Sequence, residues 1–380
     1  MMEKYQICNR CVMDTSDPDI QFDEQGICDH CRHYDEAVKR FVFDGKEGQK
    51  KLKCIINEIK GAGRGKEYDC IIGVSGGVDS SFVAYKVKEL GLHPLAVHLD
   101  NGWDSELAVK NIELFLKKLD IDLYTHVIDW EEFKDLQLAF LNASTPDSEI
   151  PSDHAINAIL YQVAENKKIK HIITGSNFRT ESHLPKTWSQ GHSDWKYIES
   201  IHNKYGHLPL TTFPHMNFFA YYKSFITYKT SYILNYLDYS KKAAIKVLED
   251  ELGWKYYGGK HYESIYTRFY QGYILPRKFG YDKRRMHLSS LICSGEITRS
   301  EAMDELKNEP YPQNLQKQDK EYVIKKLGLT EGEFERIMNL PKKSFKDFPS
   351  YENSKIYNGM GKIFRILGKS YNIIMRIGNN

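Results

Sequence analysis

The chain has 380 residues, of which 41% are hydrophobic and 27% are charged, as in an ordinary soluble globular protein. Its 53 Lys and Arg against 51 Asp and Glu leave a net charge of +2, which argues against a protein that binds nucleic acid over its whole surface. No apolar run approaches the ~20 residues of a membrane span. The N-terminus also lacks the apolar segment of a secretory signal, so we expect a cytoplasmic protein without a membrane span.

Four of the seven cysteines form two Cys-x-x-Cys pairs near the N-terminus. Two such turns complete a tetrahedron of thiolates, and a metal site filled by four protein ligands is structural rather than catalytic. Free thiols or redox pairs are the alternative. We predict a zinc ribbon at residues 1–40 with the ligands Cys8, Cys11, Cys28 and Cys31. The other cysteines are isolated in sequence and are expected to be small buried apolar residues, namely Cys54, Cys70 and Cys293.

A phosphate loop is predicted after a helical linker at 41–66. Residues 68–74 are an apolar run typical of a buried parallel strand, and Ser-Gly-Gly-Val-Asp-Ser-Ser follows at 75–81, before a helix pattern. A glycine turn at a helix N-terminus is an anion cradle, because its N–H groups and the helix dipole point at one place. It is neither a Walker A loop nor a dinucleotide fingerprint, and Asp79 beside a phosphate is reasonable as a Mg²⁺ ligand. A purely structural turn is the alternative.

Apolar strand patterns and helix patterns alternate beyond this loop. The strands are expected at 94–99, 123–128 and 170–174, and the helices at 107–119, 130–142 and 153–167. This alternation predicts an α/β fold with a doubly wound parallel sheet, which we assign to residues 67–215. Ligands of such sheets bind at the carboxyl ends of the strands, where the phosphate loop meets residues 99–101, 153–154 and 174–177. For the Thr-Gly-Ser-Asn turn at 174–177, a generic strand exit is the alternative.

The region 216–310 is rich in tyrosine and in basic residues. Thirteen of the 26 tyrosines lie between Tyr221 and Tyr281, together with Gly-Gly-Lys-His-Tyr-Glu-Ser at 258–264 and five cations within 277–285. Aromatic rings stack on sugars or bases, and basic clusters bind pyrophosphate or a nucleotide-sugar diphosphate. We therefore predict a substrate-binding region, with a Tyr-rich helical core and a solvated basic face as the alternative.

Helix patterns continue to the end of the chain. One pair lies at 288–306, where Thr298 and Glu301 predict a capping box, and another lies at 319–338. No acidic residue follows Glu352. We predict a helical C-terminal region at 311–380, whose last helix either docks on the body or contacts a partner or a membrane surface.

The motif at 75–81, after its buried strand, resembles the PP-loop of the N-type ATP pyrophosphatases. Four further features extend this likeness: the four-Cys ribbon, the segments at 174–182 and 258–264, and Lys-Phe-Gly-Tyr-Asp-Lys-Arg-Arg at 278–285. With them the chain resembles the N-acetyl sugar amidotransferases of bacterial surface-glycan synthesis, which act in O-antigen, pseudaminic acid and legionaminic acid pathways. The resemblance covers roughly residues 8–305. It implies a Rossmann-like PP-loop fold and an enzyme that adenylates an acetamido oxygen and replaces it with ammonia, giving an acetamidino sugar, AMP and pyrophosphate.

The resemblance also implies roles for particular residues. ATP, with Mg²⁺ on Asp79, would be bound by the phosphate loop and the neighbouring strand ends: Val74, Ser75, Gly76, Gly77, Val78, Asp79, Ser80, His98, Leu99, Gly175 and Asn177. The catalytic and substrate-binding set would be Asp79, Lys260, His261, Glu263, Lys283 and Arg284. Within it, Lys283 and Arg284 would offset developing phosphate charge, whereas the side chains at 260–263 would orient the sugar or transfer protons.

The source of ammonia is inferred from residues that the sequence lacks. Met2 stands where an N-terminal-nucleophile glutaminase has a cysteine, and no cysteine lies in a Gly-x-Cys-x-Gly elbow. We therefore expect a separate glutaminase subunit, similar to the partners of histidine biosynthesis, or ammonia from solution. The expected substrate is an N-acetylated sugar linked to a nucleotide, and no nucleic acid is expected as a partner.

Two other functions remain open from the sequence. A tRNA-modifying enzyme, either a thiolase or an amidine-forming one, would use the same adenylation, but it would need RNA-binding charge that a net +2 does not supply. A thiolase would usually also carry a cysteine near the PP-loop. A non-catalytic zinc-ribbon adaptor is the second alternative, and the intact Ser-Gly-Gly-Val-Asp-Ser motif argues against it.

Overall fold

A computed structural model describes residues 5–259 and 261–369, and of residues 365–369 it describes only the backbone. At its centre is a parallel sheet of five strands in the order β3-β2-β1-β4-β5. The strands are β1 (Cys70–Gly73), β2 (Pro94–Asp100), β3 (Leu123–Val127), β4 (His171–Ile173) and β5 (Lys229–Ser231). Each strand pairs in parallel with its neighbours, so the predicted α/β fold with a doubly wound parallel sheet is confirmed.

The strand β5 has no counterpart in the sequence prediction. It is three residues long, its residues are half-buried, and it pairs with β4 so that Lys229 lies opposite His171. A short polar strand gives no apolar run for a sequence pattern to detect. The sheet therefore extends beyond residue 215, where the sequence analysis ends the nucleotide-binding region.

Helices cover the sheet, and they are the regular elements of the described part of the C-terminal third. Before and around the strands they are α1 (Asp29–Phe41), α2 (Gly45–Ala62), α3 (Val78–Glu89), α4 (Glu106–Leu119), α5 (Trp130–Ala143), α6 (Ile150–Asn166), α7 (Phe178–Glu181), α8 (Trp195–Tyr205), α9 (Phe218–Thr227) and α10 (Lys241–Leu252). The rest are α11 (Ile265–Phe269), a π-helical segment Tyr270–Phe279, α12 (Arg284–Cys293), α13 (Arg299–Leu306), α14 (Gln313–Leu327), α15 (Glu331–Met338) and α16 (Lys355–Lys369). The capping box of Thr298 and Glu301 at the start of α13 is confirmed.

The two faces of the sheet are buried in two separate cores. In β1, Ile71 points into a core that contains Phe140 of α5, while the next residue, Ile72, points into a core that contains Val83 of α3. All four of these side chains are fully buried. Because successive side chains of a strand point to opposite faces, a strand covered on both faces must be apolar throughout. This explains the consecutive apolar residues at 70–72 in β1.

The C-terminal helices are part of the same body as the sheet. Phe269, Val323 and Phe334 lie in the core that contains Ile71. An ion pair reinforces this packing, because Arg268 donates from two nitrogens to the carboxylate of Asp319, at 2.8 and 2.7 Å. The helices α11, α14 and α15 are therefore held on the sheet by a shared apolar core.

The last described helix, α16, lies against α9. The ring of Phe364 stacks on Tyr222 with the ring centroids 5.1 Å apart, so the helix docks on the body, as one of the two sequence alternatives expected. Ile356 and Ile363 on the same helix are exposed. The predicted continuation of the helix beyond residue 369 lies outside the described residues. No helix within residues 5–259 and 261–369 combines the length and the apolar character needed to cross a membrane.

Candidate functional site

The four N-terminal cysteines meet at one point. They are fully buried, and their Sγ atoms lie within 4.8 Å of one another. The Cys8 and Cys31 sulfurs are 3.9 Å apart, and the Cys11 and Cys28 sulfurs are 3.6 Å apart. Zn–S bonds of about 2.3 Å in a tetrahedron place sulfurs about 3.8 Å apart, so these side chains fit the predicted structural zinc.

This cysteine cluster is fastened to the C-terminal helices. Arg299, in the first turn of α13, donates from Nε to the carbonyl of Cys11 at 3.0 Å and from Nη2 to the carbonyl of Cys8 at 3.0 Å. The N–H of Val12 donates to Ser289 Oγ at 3.2 Å. A zinc ion at the cluster would therefore hold the N-terminal ribbon onto α12 and α13.

The expectation for the other cysteines is wrong at two of three positions. Cys70 is buried in β1 as predicted. Cys54 is exposed, because the buried side of α2 is formed by other positions such as Ile56. Cys293 is half-buried and not isolated, since its Sγ lies 3.8 Å from the Sγ of Cys31.

The phosphate loop between β1 and α3 turns at Gly76 and Gly77. Gly76 has φ +76°, and a Cβ there would lie 2.7 Å from the carbonyl oxygen of Ala108, so no larger residue fits. Ser80 Oγ accepts the N–H of Ser75 at 3.3 Å and donates to the Gly77 carbonyl at 3.2 Å. These bonds keep the loop tight at the positive end of α3, as an anion cradle requires.

Aromatic residues that follow α10 pack against the phosphate loop. Trp254 Nε1 donates to the carbonyl of Gly76 at 3.1 Å, and the N–H of Val78 donates to the Tyr257 hydroxyl at 3.1 Å. The N–H of Val78, a predicted nucleotide ligand, thus has a partner within the protein. Burial raises the pKa of Tyr257, so its hydroxyl remains neutral. The sequence analysis did not identify either aromatic residue, because nothing in a Tyr-rich segment distinguishes one ring from the others.

The carboxylate of Asp79, at the start of α3, is held by two side chains. Tyr239 donates its hydroxyl to Asp79 Oδ1, and Asn177 donates its amide to the same oxygen at 3.4 Å. Asn177 was predicted to lie at the nucleotide and is fully buried, whereas Tyr239 was not predicted. Two donors on one oxygen fix the carboxylate in one orientation, and a fixed carboxylate oxygen is a suitable ligand for Mg²⁺.

The turn after β4 approaches the phosphate loop backbone to backbone. A Cβ on Gly175 would lie 2.8 Å from the N atom of Ser80 and 2.9 Å from the carbonyl carbon of Asp79. Such a contact is closer than a Cβ allows, so the position of Gly175 in Thr-Gly-Ser-Asn requires a glycine. A generic strand exit would not need it.

The predicted adenine-flanking residues on β2 are turned into the protein. His98 Nδ1 lies 2.9 Å from the carbonyl of Val74, and its Nε2 lies 3.1 Å from Asp104 Oδ2. Burial of the ring opposes protonation most strongly, but the hydrogen bond and the charge of Asp104, together with the Val74 carbonyl, outweigh it and raise the pKa of His98. Leu99 is buried in the core. Contact of these two positions with a nucleotide remains a prediction, and the visible role of His98 is to join β2 to the start of the loop.

Glu263 reaches the phosphate loop from the predicted substrate region. Its Oε1 would be 3.4 Å from a Cβ on Gly77, and its backbone carbonyl accepts the N–H of Ser105 at 2.8 Å. His261 Nδ1 lies 3.4 Å from Glu263 Oε1. Burial opposes ionisation of Glu263 most strongly, but the hydrogen bond to His261 and other nearby groups together outweigh it and lower the pKa of the carboxyl. Lys260, the third predicted residue of this segment, lies outside the described residues.

The two predicted cations beyond this segment have acidic partners of their own. Arg284 donates from Nη2 to Asp282 at 2.7 Å and from Nη1 to the carbonyl of Asn308 at 3.0 Å. Lys283 is buried, with its Nζ 3.8 Å from Glu149. Burial would lower the pKa of Lys283, but neighbouring carboxylates, of which Asp147 acts most strongly, raise it. The role of both cations at phosphate remains a prediction.

Lys283 belongs to a group of titratable side chains that the sequence analysis did not identify. His192 Nε2 lies 3.3 Å from Asp153 and 3.7 Å from Asp147, and Asp147 also accepts a hydrogen bond from Ser189. Burial opposes ionisation of Asp147, but Lys283 and His192 outweigh it and lower the pKa. Only the Asp153-His154 pair was predicted at this edge of the sheet, because the other members come from distant parts of the chain.

The comparisons with known proteins point to surface-glycan synthesis for one part of the chain. Residues 263–362 match the family described as "LPS biosynthesis protein WbpG-like, C-terminal domain". This match confirms the predicted likeness to proteins of bacterial surface-glycan synthesis, and it begins at Glu263, whose carboxylate lies beside Gly77 of the phosphate loop. Among curated proteins, no sequence matches the chain.

Solved structures of low similarity include two synthetases. The first is an NH3-dependent NAD synthetase from Campylobacter jejuni subsp. jejuni NCTC 11168, with 13% identity over 78% of this chain and 98% of that chain, at a TM-score of 0.34. The second is an NMN synthetase from Francisella tularensis, with 14% identity over 78% of this chain and 97% of that chain, at a TM-score of 0.32. Likenesses this distant carry no functional argument.

The close approach of Gly175 to the phosphate loop gives a test of the site. Gly175→Ala should lower the free energy of unfolding by about 1–3 kcal/mol, because the added Cβ must displace the backbone of residues 79–80. Gly332→Ala, near the start of α15, is the control, since a Cβ there meets nothing within 4 Å. Urea unfolding of both variants checks this. Equal stabilities for the two variants would contradict the described packing.

Proposed function

We propose that this protein is an ATP-dependent, AMP-forming amidotransferase that acts on an N-acetylated sugar in surface-glycan synthesis. One observation carries the proposal. Glu263, the first residue of the segment similar to lipopolysaccharide-biosynthesis proteins, lies against Gly77 of the phosphate loop. The segment similar to glycan-synthesis proteins therefore begins beside the loop that would bind the phosphates of ATP.

The chain's own groups fit a nucleotide at this place. The backbone at Gly76 and the positive end of α3 would bind the pyrophosphate part of ATP, and Ser75, which is exposed, would add its hydroxyl. The N–H groups of Ser75 and Gly77 would first have to exchange their present acceptors, Ser80 Oγ and Ser75 Oγ, for phosphate oxygens. Asp79 would bind Mg²⁺, which supplies charge neutralisation for the phosphates. The Glu263 carboxylate beside the same loop would repel bare phosphate, which is a second reason to expect a cation between them.

The proposed reaction has two steps. The acetamido oxygen attacks the α-phosphorus of ATP, forming an O–P bond while pyrophosphate leaves. Ammonia then adds to the activated carbon, and the C–O bond breaks so that AMP leaves with the former carbonyl oxygen. The product is an acetamidino sugar. Adenylation is needed because the oxygen of an amide is otherwise a poor leaving group.

Side chains near the loop have defined tasks in this scheme. The pair of His261 and Glu263 would take the protons that the nitrogen loses as the amidine forms, since an imidazole beside a carboxylate is a suitable general base. Lys260 would orient the sugar, and Lys283 and Arg284 would offset charge on its phosphates. The expected location is the cytoplasm, where ATP and nucleotide-linked sugars are available.

A separate glutaminase is the proposed source of ammonia. The cysteines of the chain offer little as a glutaminase nucleophile: four fill the N-terminal cluster, and Cys293 adjoins it. Cys70 is buried in β1, and burial raises the pKa of its thiol. Cys54 lies exposed on α2, and no general base was predicted near it. Ammonia made by a partner and delivered to the closed site would arrive unprotonated.

The adenylation step gives the first functional prediction. With ATP, Mg²⁺, ammonium and a nucleotide-linked N-acetyl sugar, the protein should form AMP and pyrophosphate. Asp79→Asn should lower the rate about 10²–10³-fold, because a preorganised charge at the phosphates is lost. Phosphorus NMR of the products measures both effects.

Asp250→Asn is the matched control, because this aspartate lies exposed on α10 and should leave the rate unchanged. Release of ADP and phosphate would contradict the proposal. Formation of AMP with tRNA but not with any sugar would instead support the tRNA-modifying alternative.

The nitrogen source gives the second functional prediction. The purified chain should use ammonium and not glutamine, and the ammonium-dependent rate should rise with pH, because only unprotonated ammonia has a lone pair for attack. Adding a glutaminase that forms a complex with the chain should allow use of glutamine at low concentration. Product formation from ¹⁵N-amide glutamine, followed by mass spectrometry, measures this. Glutamine-dependent turnover by the single chain would refute the two-protein scheme.

A further inference from the structure

A second group of potential metal ligands adjoins the four-cysteine cluster. Cys293, the last residue of α12, has its Sγ 3.8 Å from Cys31 Sγ and 3.6 Å from His183 Nε2. One ligand atom from each of these three residues lies within 4.8 Å of the others. Cys31 thus belongs to two groups at once, and His183 and Cys293 belong only to the second.

The hydrogen bonds of His183 show which ring nitrogen carries the lone pair. His183 is fully buried, and its Nδ1 lies 3.0 Å from Ser290 Oγ. Ser290 gives its own hydroxyl proton to the carbonyl of Met286 at 3.0 Å, so at this contact its oxygen accepts. Ser182 Oγ also lies 3.0 Å from Nδ1, and it donates to Ser290 Oγ at 3.3 Å. With both hydroxyl protons directed to these acceptors, Nδ1 is the protonated nitrogen, which leaves the lone pair on Nε2, 3.6 Å from Cys293 Sγ.

This arrangement is the one that a metal-binding histidine requires. Histidine ligands of metals usually donate their other ring N–H to an oxygen, which fixes both the tautomer and the direction of the ring. Tetrahedral zinc with Zn–S of about 2.3 Å and Zn–N of about 2.0–2.1 Å places two sulfurs about 3.8 Å apart and sulfur and nitrogen about 3.6 Å apart. The observed separations, 3.8 and 3.6 Å, agree with both values.

We propose that Cys31, His183 and Cys293 bind a second zinc ion, with the Cys31 thiolate bridging it to the first. The second ion would have three protein ligands, and because Cys293 is only half-buried, a water molecule could complete the tetrahedron. Charge favours this arrangement. One zinc ion with four thiolates keeps two negative charges, whereas two ions with five thiolates and a neutral imidazole keep one.

The second ion would add a crosslink that the first cannot provide. His183 follows α7, which lies just after the turn at 174–177, whereas Cys293 ends α12. An ion bound to both residues and to Cys31 joins the N-terminal ribbon, the exit of β4 and the C-terminal helices. None of these three ligands has a role in the proposed reaction.

Metal analysis of the purified full-length chain tests this proposal. After expression with excess zinc and removal of loosely bound metal, mass spectrometry should find about two zinc ions per chain. Cys293→Ser and His183→Ala should each reduce this to about one, because the first site keeps its four cysteines. Cys54→Ser is the matched control, since this exposed cysteine lies outside both groups, and it should retain two ions.

One zinc ion per wild-type chain would overturn the proposal, and the contact between Cys293 and Cys31 would then be a thiol–thiolate hydrogen bond. Two ions in both Cys293→Ser and His183→Ala would also overturn it, since the second ion would lie elsewhere. Because the wild-type stoichiometry alone separates one ion from two, the result is decisive even where a variant fails to fold.

Discussion

The phosphate loop is closed in by backbone on two sides and by a carboxylate on a third, and the candidate site depends on this packing. The carbonyl of Ala108 lies against Gly76, the Gly175 turn lies against the backbone of Ser80, and Glu263 lies against Gly77. Two of these contacts leave no room for a side chain, so the loop cannot relax away from its neighbours. The strand ends and the first residue of the glycan-type segment are therefore fixed relative to any phosphate in the loop.

The cysteine cluster is connected to the region of the candidate site through α12. It binds α12 and α13 through Arg299 and Ser289, and α12 begins directly after Lys283, which lies in the acidic group at the sheet. Zinc at the cluster would hold this helix against the ribbon, because four of the seven buried residues in this part of the core are the cysteines, and Met286 of α12 packs among them. A zinc ion there would thus have a structural task, although it would lie outside the proposed site of reaction.

Local patterns predicted the parts of the molecule that local forces determine. The run at 68–74, the glycine turn and the following helix each carry their own signal, as does the capping box at Thr298. The missed features all join distant segments: β5 completes the sheet with a short polar strand, Tyr239 reaches Asp79, and Cys293 meets Cys31 across 262 positions. Contacts of this kind arise from the packing of elements and leave no periodic trace in the sequence.

The central claim is that the acetamido oxygen of a sugar becomes bonded to the α-phosphorus of ATP. The most direct measurement is isotopic: nucleotide-linked N-acetyl sugars labelled with ¹⁸O in the acetamido carbonyl are turned over with ATP, Mg²⁺ and ammonium, and the AMP is weighed by mass spectrometry. The account predicts one ¹⁸O atom in each AMP, because the C–O bond breaks when ammonia replaces the oxygen. Amidine formation with unlabelled AMP, or with ADP, would contradict it.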